Sequence, residues 1–370
     1  MKPGIPVSAQ RVGGELPIFS DRTGRAQSWR SGWLAFSHGR AALAWLLARR
    51  PARSALICAY TCPTVPAFLR RQGLTIGFYD VGARHGELAA LAAQLPGPSL
   101  VLVPALFGAR PWLGVKALET ALPASSMVVV DAAQTAFGHC DYAPSSRGAV
   151  LSGPRKTTGL ADGAVLALGR EFGRYDIDNL PVARVPAALK LAARALFATA
   201  IPQQEAAALA LNRQSEQSWP DQPHRMTDDS RILLERLDRH WHARRRRSNR
   251  RVLAEALRDA VALWKPDSGV PFSLPVFVSD REAVLDRLHD RRIFASALWP
   301  DAECDANRHP VAFWIRHHLI SLPIDQRHDE VDMRRIAREV RAAARMALAV
   351  PQPLSRWIAA ATTRSGRHRR

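Results

Sequence analysis

The stretch Val128-Val129-Val130-Asp131-Ala132-Ala133-Gln134 is an apolar run that ends in a carboxylate and, three residues on, an amide. Twenty-five residues after that aspartate comes Lys156, preceded by Ser152-Gly153-Pro154-Arg155. An aspartate at the end of a parallel strand stands at the carboxyl edge of the sheet, where open α/β folds bind their ligands. Ala132 and Ala133 are small enough for something flat to lie close. A carboxylate, an amide, a hydroxyl and a lysine at strand ends are the parts needed to hold an aldehyde cofactor. The lysine forms an imine, the aspartate keeps a pyridine nitrogen protonated, and the hydroxyl with loop amides takes a phosphate. Such a lysine must lose its proton, so an ordinary pKa of about 10.4 has to fall through desolvation and cationic neighbours. Arg155, adjacent in sequence, supplies one such charge. Only five of the 52 basic residues are lysines (Lys2, Lys116, Lys156, Lys190 and Lys265), which makes one inside a Gly-containing turn conspicuous.

The elements that would position these groups alternate along the chain. Strands are expected at 55–60, 74–81, 100–106 and 127–132, with helices near 64–72, 86–95 and 113–122 between them. This pattern argues for βαβ units and a mostly parallel sheet covered on both faces. Before them, an Ala/Leu/Trp-rich run at 40–50 follows Ser37-His38-Gly39, a helix start with backbone N–H groups free. Two short strands, 148–152 and 163–168, flank the lysine loop. A helix is expected at 184–200, a polar excursion at 212–227, and a long helix at 228–263. Strand 272–278, helix 280–291, strand 293–298, a helix near 310–318, strand 319–324 and helix 330–348 then make a second, smaller α/β layer. The domain boundaries implied are an irregular lead-in over 1–30, a large α/β domain over 31–227, the long helix with a small C-terminal α/β domain over 228–350, and a frayed basic tail over 351–370. The run Arg244-Arg245-Arg246-Arg247 reads as a solvated helix face. His38 and His139 read as surface or packing histidines, and Trp299 as a core tryptophan.

Composition limits the function classes. The 370 residues, 47% hydrophobic and 23% charged, are enough for a substantial core and far from a disordered composition. No apolar run reaches the length of a membrane span, and the N-terminus carries no secretory-type apolar stretch, so a cytoplasmic protein is expected. Four cysteines are too sparse for a disulfide framework and read as reduced thiols. A net charge of +19 attracts anions of any kind. No zinc knuckle, helix-turn-helix signature or RNP-like strand accompanies that charge, which argues against nucleic-acid binding. The Gly148…Gly153 spacing offers half of a nucleotide-binding loop, but Pro154-Arg155 stands where Lys-Ser/Thr should follow, and the aspartate strand precedes the loop.

The segments Asp131-Ala-Ala-Gln134 and Ser152…Lys156-Thr-Thr-Gly-Leu-Ala-Asp-Gly163 resemble the DegT/StrS family of pyridoxal-phosphate sugar aminotransferases, a branch of fold type I. Ser37-His38-Gly39-Arg40-Ala41-Ala42-Leu43, Ala59-Tyr60-Thr61-Cys62-Pro63, Val103-Pro104-Ala105-Leu106-Phe107-Gly108 and Leu322-Pro323-Ile324-Asp325 are similar to further family segments, in the family's order. The resemblance implies a fold-type I architecture with a seven-stranded, mostly parallel sheet, a small C-terminal domain and a homodimer. It also implies pyridoxal 5'-phosphate as cofactor, glutamate as amino donor and a keto-sugar, typically nucleotide-linked, as acceptor. Position by position, Lys156 would be the Schiff-base lysine, Asp131 the partner of the pyridine nitrogen and Gln134 a neighbour of the ring's 3-oxygen. Ser152 and the amides of Gly39 and Arg40 would take the phosphate. The family's ring-stacking position falls at Thr61-Cys62, which leaves Cys62, Tyr60 or another residue against the ring. A relative of altered chemistry with a non-sugar substrate is the alternative the departures leave open.

Overall fold

A computed structural model describes residues 11–17, 22–24, 33–135, 137, 142–199, 201–265, 269–344 and 348–359. Its larger layer is built from β2 (Trp33–Phe36), α1 (Gly39–Arg49), β3 (Ser54–Cys58), α2 (Thr64–Arg71), β4 (Thr75–Tyr79), α3 (His85–Ala93), β5 (Ser99–Pro104), α4 (Val115–Ala121), β6 (Met127–Ala132), β7 (Ala149–Ser152) and β8 (Ala164–Leu168). These seven strands form one sheet in the order β2-β8-β7-β6-β5-β3-β4. Within it β8 alone runs against the others.

The apolar runs become central strands because both of their faces are covered. In β6, Val128 packs with Tyr60, Tyr79, Leu88 and Leu118 on one side. Met127 and Val129 pack with Trp45, Ile57 and Phe68 on the other. Two-sided burial of this kind removes the polar alternation of a half-exposed strand, so β5 and β6 are continuous apolar segments. Helices α1 and α2 supply one layer and α3 and α4 the opposite one. The connections thus leave every parallel strand's carboxyl end on the same edge of the sheet.

Beyond β8 come α5 (Arg184–Ala198), α6 (Pro202–Ser218), α7 (Asp228–Arg236) and α8 (Arg239–Leu257). The remainder is β9 (Ala262–Trp264), β10 (Leu274–Phe277), α9 (Arg281–Asp290), β11 (Ile293–Phe294), α10 (Pro310–His318), β12 (Leu319–Leu322), α11 (Glu330–Ala343) and β13 (Ile358–Ala359). An antiparallel sheet in the order β12-β10-β9-β13 carries this part. Its core joins Leu253 and Leu257 of α8 to Val276, Ile320, Ile336 and Val340. None of the described helices is long and apolar enough to cross a membrane.

Four expectations are corrected. The segment 212–227 is not wholly an excursion: α6 starts with a proline in its first turn and runs to Ser218. It stops because Trp219 precedes Pro220 and takes ψ 123°, outside the helical region. The single helix expected at 228–263 is two helices, broken at Leu237, whose ψ is 132°. The carboxylate of Asp238 then caps α8 by accepting from the Trp241 N–H at 2.9 Å. Arg246 is buried, whereas its neighbours Arg244 and Arg247 are exposed as expected of a solvated face. Finally, short strands occur where none was expected. Val12–Gly13, called β1, pairs with β11 in the lead-in, β13 pairs with β9 in the basic tail, and β2 precedes α1. Cys58, Cys62 and Cys304 are free thiols. His139 and Cys140 lie outside the described residues.

Candidate active site

The carboxyl ends of β2, β3, β5, β6 and β7 converge on one cleft with about 1120 Å³ of empty space, its open mouth included. All seven site residues singled out from the sequence line it: Gly39 and Arg40 at the start of α1, Cys62 after β3, Asp131 at the end of β6 with Gln134 just beyond, Ser152 at the end of β7, and Lys156. Asp131 is half-buried and accepts from the Ala133 N–H at 3.0 Å, which turns the chain away from the sheet. Gln134 is buried, and its Oε1 accepts from the Phe107 N–H at 2.7 Å, leaving the amide N–H₂ end for a ligand. Cys62 Sγ lies 3.1 Å from the Thr64 hydroxyl at the start of α2.

Lys156 ends a 3-10 turn, Pro154–Lys156, and is exposed. That turn can lie against the end of β6 only because residue 153 is glycine: a Cβ there would stand 2.9 Å from the carbonyl oxygen of Ala133. The turn is then tied from within and from outside. The hydroxyls of Thr157 and Thr158 donate to the Pro154 carbonyl at 3.1 and 2.8 Å. Arg246 Nη2 and Gln326 Nε2 each donate to the Thr157 carbonyl at 3.1 Å. Arg194 Nη2 donates to the Arg155 carbonyl at 2.8 Å. A buried guanidinium is tolerable when carbonyls take its protons, and Arg246 also donates to Phe272 O at 2.9 Å and Pro271 O at 3.3 Å. Its burial is thus the means by which α8 grips the lysine turn.

Charges beside the turn are paired. Arg155 meets Glu216 of α6 at 2.8 and 3.3 Å, and Glu216 also accepts from Lys190 at 3.2 Å. Burial pushes Glu216 up, but the Arg155 guanidinium and the Lys190 ammonium outweigh it and hold the carboxyl below its usual range. Burial lowers Lys190 in spite of Glu15 and Glu216. His38 is buried and caps α1: its Nδ1 accepts from the Ala41 N–H at 2.9 Å, and its Nε2 faces the Pro220 carbonyl at 3.1 Å. Desolvation first, then Arg40 and Arg155, lower its pKa to about 3, so the ring is neutral. His38 is thus the packing residue expected, but it also lines the cleft.

Two further lining residues were not assigned to the site from the sequence. Glu216 sits in the stretch read as an excursion; the start signal of its helix, Pro202, was the clue to it. Trp299 is half-buried on the cleft wall rather than in the core, with φ 51°, and packs on the Tyr60 ring at 5.2 Å. Tyr60 itself is fully buried, its hydroxyl donating to the Leu298 carbonyl at 2.7 Å.

No protein-family model and no curated protein matches this sequence. Solved structures do match, along nearly the whole chain. Spr1654 from Streptococcus pneumoniae in its PLP form superimposes with a TM-score of 0.61 at 13% identity, over 90% of this chain and 99% of that one. The chain has the aminotransferase fold. A DegT DnrJ EryC1 StrS aminotransferase from Brucella abortus gives 0.56 at 17% identity, covering 85% and 86%. DesI in the presence of its TDP-sugar product gives 0.57 at 18% identity, covering 90% and 94%. The aminotransferase fold of type I accounts for the architecture described above: a mostly parallel seven-stranded sheet with one reversed strand, helices on both faces, and a smaller C-terminal α/β layer.

Proposed function

We propose that this protein is a pyridoxal-phosphate-dependent aminotransferase acting on a sugar. The observation that carries the reading is the placing of Lys156 and Asp131 in one cleft, at the carboxyl edge of a sheet with the aminotransferase fold. The donor set fits the cofactor. A lysine amine and a carboxylate share the cleft, a buried hydroxyl lies at Ser152, and a guanidinium atom, Arg40 Nε, is buried with no hydrogen-bond partner. When bound, the cofactor supplies an electron sink that makes a proton on the carbon bearing the substrate's nitrogen removable. Lys156 would hold the cofactor through its Nζ and, with that amine free, would take and return the proton. Asp131 keeps the pyridine nitrogen protonated, and Gln134 donates its amide N–H to the ring's 3-oxygen. Ser152 and the amides of Gly39 and Arg40 receive the phosphate at the positive end of α1. Cys62 forms part of the wall beside the ring.

Glutamate is the proposed donor and a keto-sugar, nucleotide-linked, the proposed acceptor. Support comes from the TDP-sugar product named with DesI. We place the two sites of a homodimer at the subunit boundary. The test is spectroscopic: the protein loaded with pyridoxal phosphate absorbs in the visible, glutamate discharges that band with release of 2-oxoglutarate, and a keto-sugar nucleotide restores it. A Lys156→Ala protein lacking the band supports the reading, and one that keeps it overturns the reading.

A further inference from the structure

Three side chains near the start of α1 carry, or on protonation would carry, positive charge into the cleft: His38, Arg40 and Arg155. Two of them are already spoken for. Arg155 is matched by the Glu216 carboxylate through two hydrogen bonds. His38 uses Nδ1 to accept from the Ala41 N–H, which requires the unprotonated nitrogen, and its Nε2 contacts the Pro220 carbonyl.

Arg40 is different. Its side chain is only 16% exposed, its Nε is buried without a hydrogen-bond partner, and of the two carboxylates whose charge reaches it, Asp221 stands 3.8 Å away and Glu216 is hydrogen-bonded to Arg155 and Lys190. Asp221 is itself engaged by Arg71 at 2.6 and 3.1 Å. A largely desolvated guanidinium left half-matched is costly unless an anion joins it. It stands at the start of α1, where Gly39 and Arg40 line the same cleft, and a fork of N–H donors suits a phosphate monoester. The dianionic charge of such a group also exceeds what a helix terminus, equivalent to roughly half an elementary charge, can balance.

We infer that the side chain of Arg40, beyond its backbone amide, is the cation that binds the ligand's phosphate and makes the cleft select phosphorylated over unphosphorylated pyridoxal. This rests on the reading that the cleft takes pyridoxal phosphate. Within that reading, Arg40 sets affinity and selectivity for the cofactor and takes no part in proton transfer.

The test is equilibrium titration of the full-length apo-protein with pyridoxal phosphate and, separately, with pyridoxal, followed by visible absorbance and by quenching of tryptophan fluorescence. Arg40→Ala should weaken pyridoxal phosphate at least tenfold and pyridoxal less than threefold. Arg40→Lys, which keeps the charge but loses the fork, should fall between wild type and Arg40→Ala and guards against a variant that simply misfolds. Inorganic phosphate should compete with pyridoxal phosphate for the wild-type protein and lose that effect in Arg40→Ala. Equal weakening of both ligands, or no weakening of either, overturns the inference while leaving the cofactor assignment standing. A wild-type protein that binds neither aldehyde overturns the assignment and the inference with it.

Discussion

Removing the ion pair beside the lysine turn is the sharpest probe of how the cleft is held. Arg155 and Glu216 share two hydrogen bonds, at 2.8 and 3.3 Å, with the arginine side chain 13% and the glutamate 39% exposed. Exposed pairs contribute up to about 1 kcal/mol. Breaking a fully buried one costs about 3–5 kcal/mol. Water reaching the carboxylate screens this pair, so its coupling should fall between those limits, at about 2 kcal/mol. The assay is a double-mutant cycle: urea unfolding of wild type, Arg155→Ala, Glu216→Ala and the double variant, followed by tryptophan fluorescence. Lys190 retains Glu15 at 3.4 Å when Glu216 is gone, so the measured coupling reports on Arg155 and not on a general collapse of the cluster. The pair also fixes a pH dependence. Because the folded-state pKa of Glu216 is depressed, its stabilisation is present above the ordinary carboxylate value of about 4.3 and is lost as pH falls below it. A coupling under about 0.5 kcal/mol would refute the reasoning that partial burial strengthens this pair.

His38 titrates near 3 in the folded chain against an ordinary value of about 6.5, so between those values the unfolded chain binds the extra proton and stability falls with pH. Between pH 7 and 4.5 wild type should lose about 2–3 kcal/mol more than His38→Asn, read by urea unfolding at each pH; parallel losses in the two proteins would remove the buried neutral imidazole from the account. Gly153→Ala sets a Cβ 2.9 Å from the Ala133 carbonyl and should cost about 1–3 kcal/mol by chemical denaturation, together with weaker cofactor uptake. Unchanged uptake would show that the turn does not need that close approach. Arg246→Met withdraws a donor from the carbonyls of Pro271 and Phe272, each worth about 1–3 kcal/mol if left unsatisfied, while the Thr157 carbonyl keeps Gln326, and should lower stability by at least about 2 kcal/mol. A loss below about 0.5 kcal/mol would mean that water replaces the guanidinium.

How much was legible in the sequence follows from where each signal resides. The central strands are written in consecutive residues, since a strand buried on both faces has to be apolar throughout, and Val128–Val130 then deliver Asp131 to the sheet edge. The lysine turn is equally local, with a small residue, a proline and a lysine in succession. Arg246 was misread because nothing beside it in the chain reveals that carbonyls at 157, 271 and 272 will surround its guanidinium. Glu216 was missed because α6 is rich in Ala and Gln and weakly patterned, so its polar end looked like loop. The partner strands β1 and β13, two residues each, are too short to leave a period-2 signature at all.

The central claim is that one particular amine reaches the cofactor's aldehyde, and the scarcity of lysine makes the claim directly measurable. Protein loaded with pyridoxal phosphate is reduced with borohydride, digested, and the modified peptide located by mass spectrometry. The account predicts a single pyridoxyl adduct, on Lys156. An adduct on the buried Lys190, or on any of the other three lysines in place of Lys156, would contradict it.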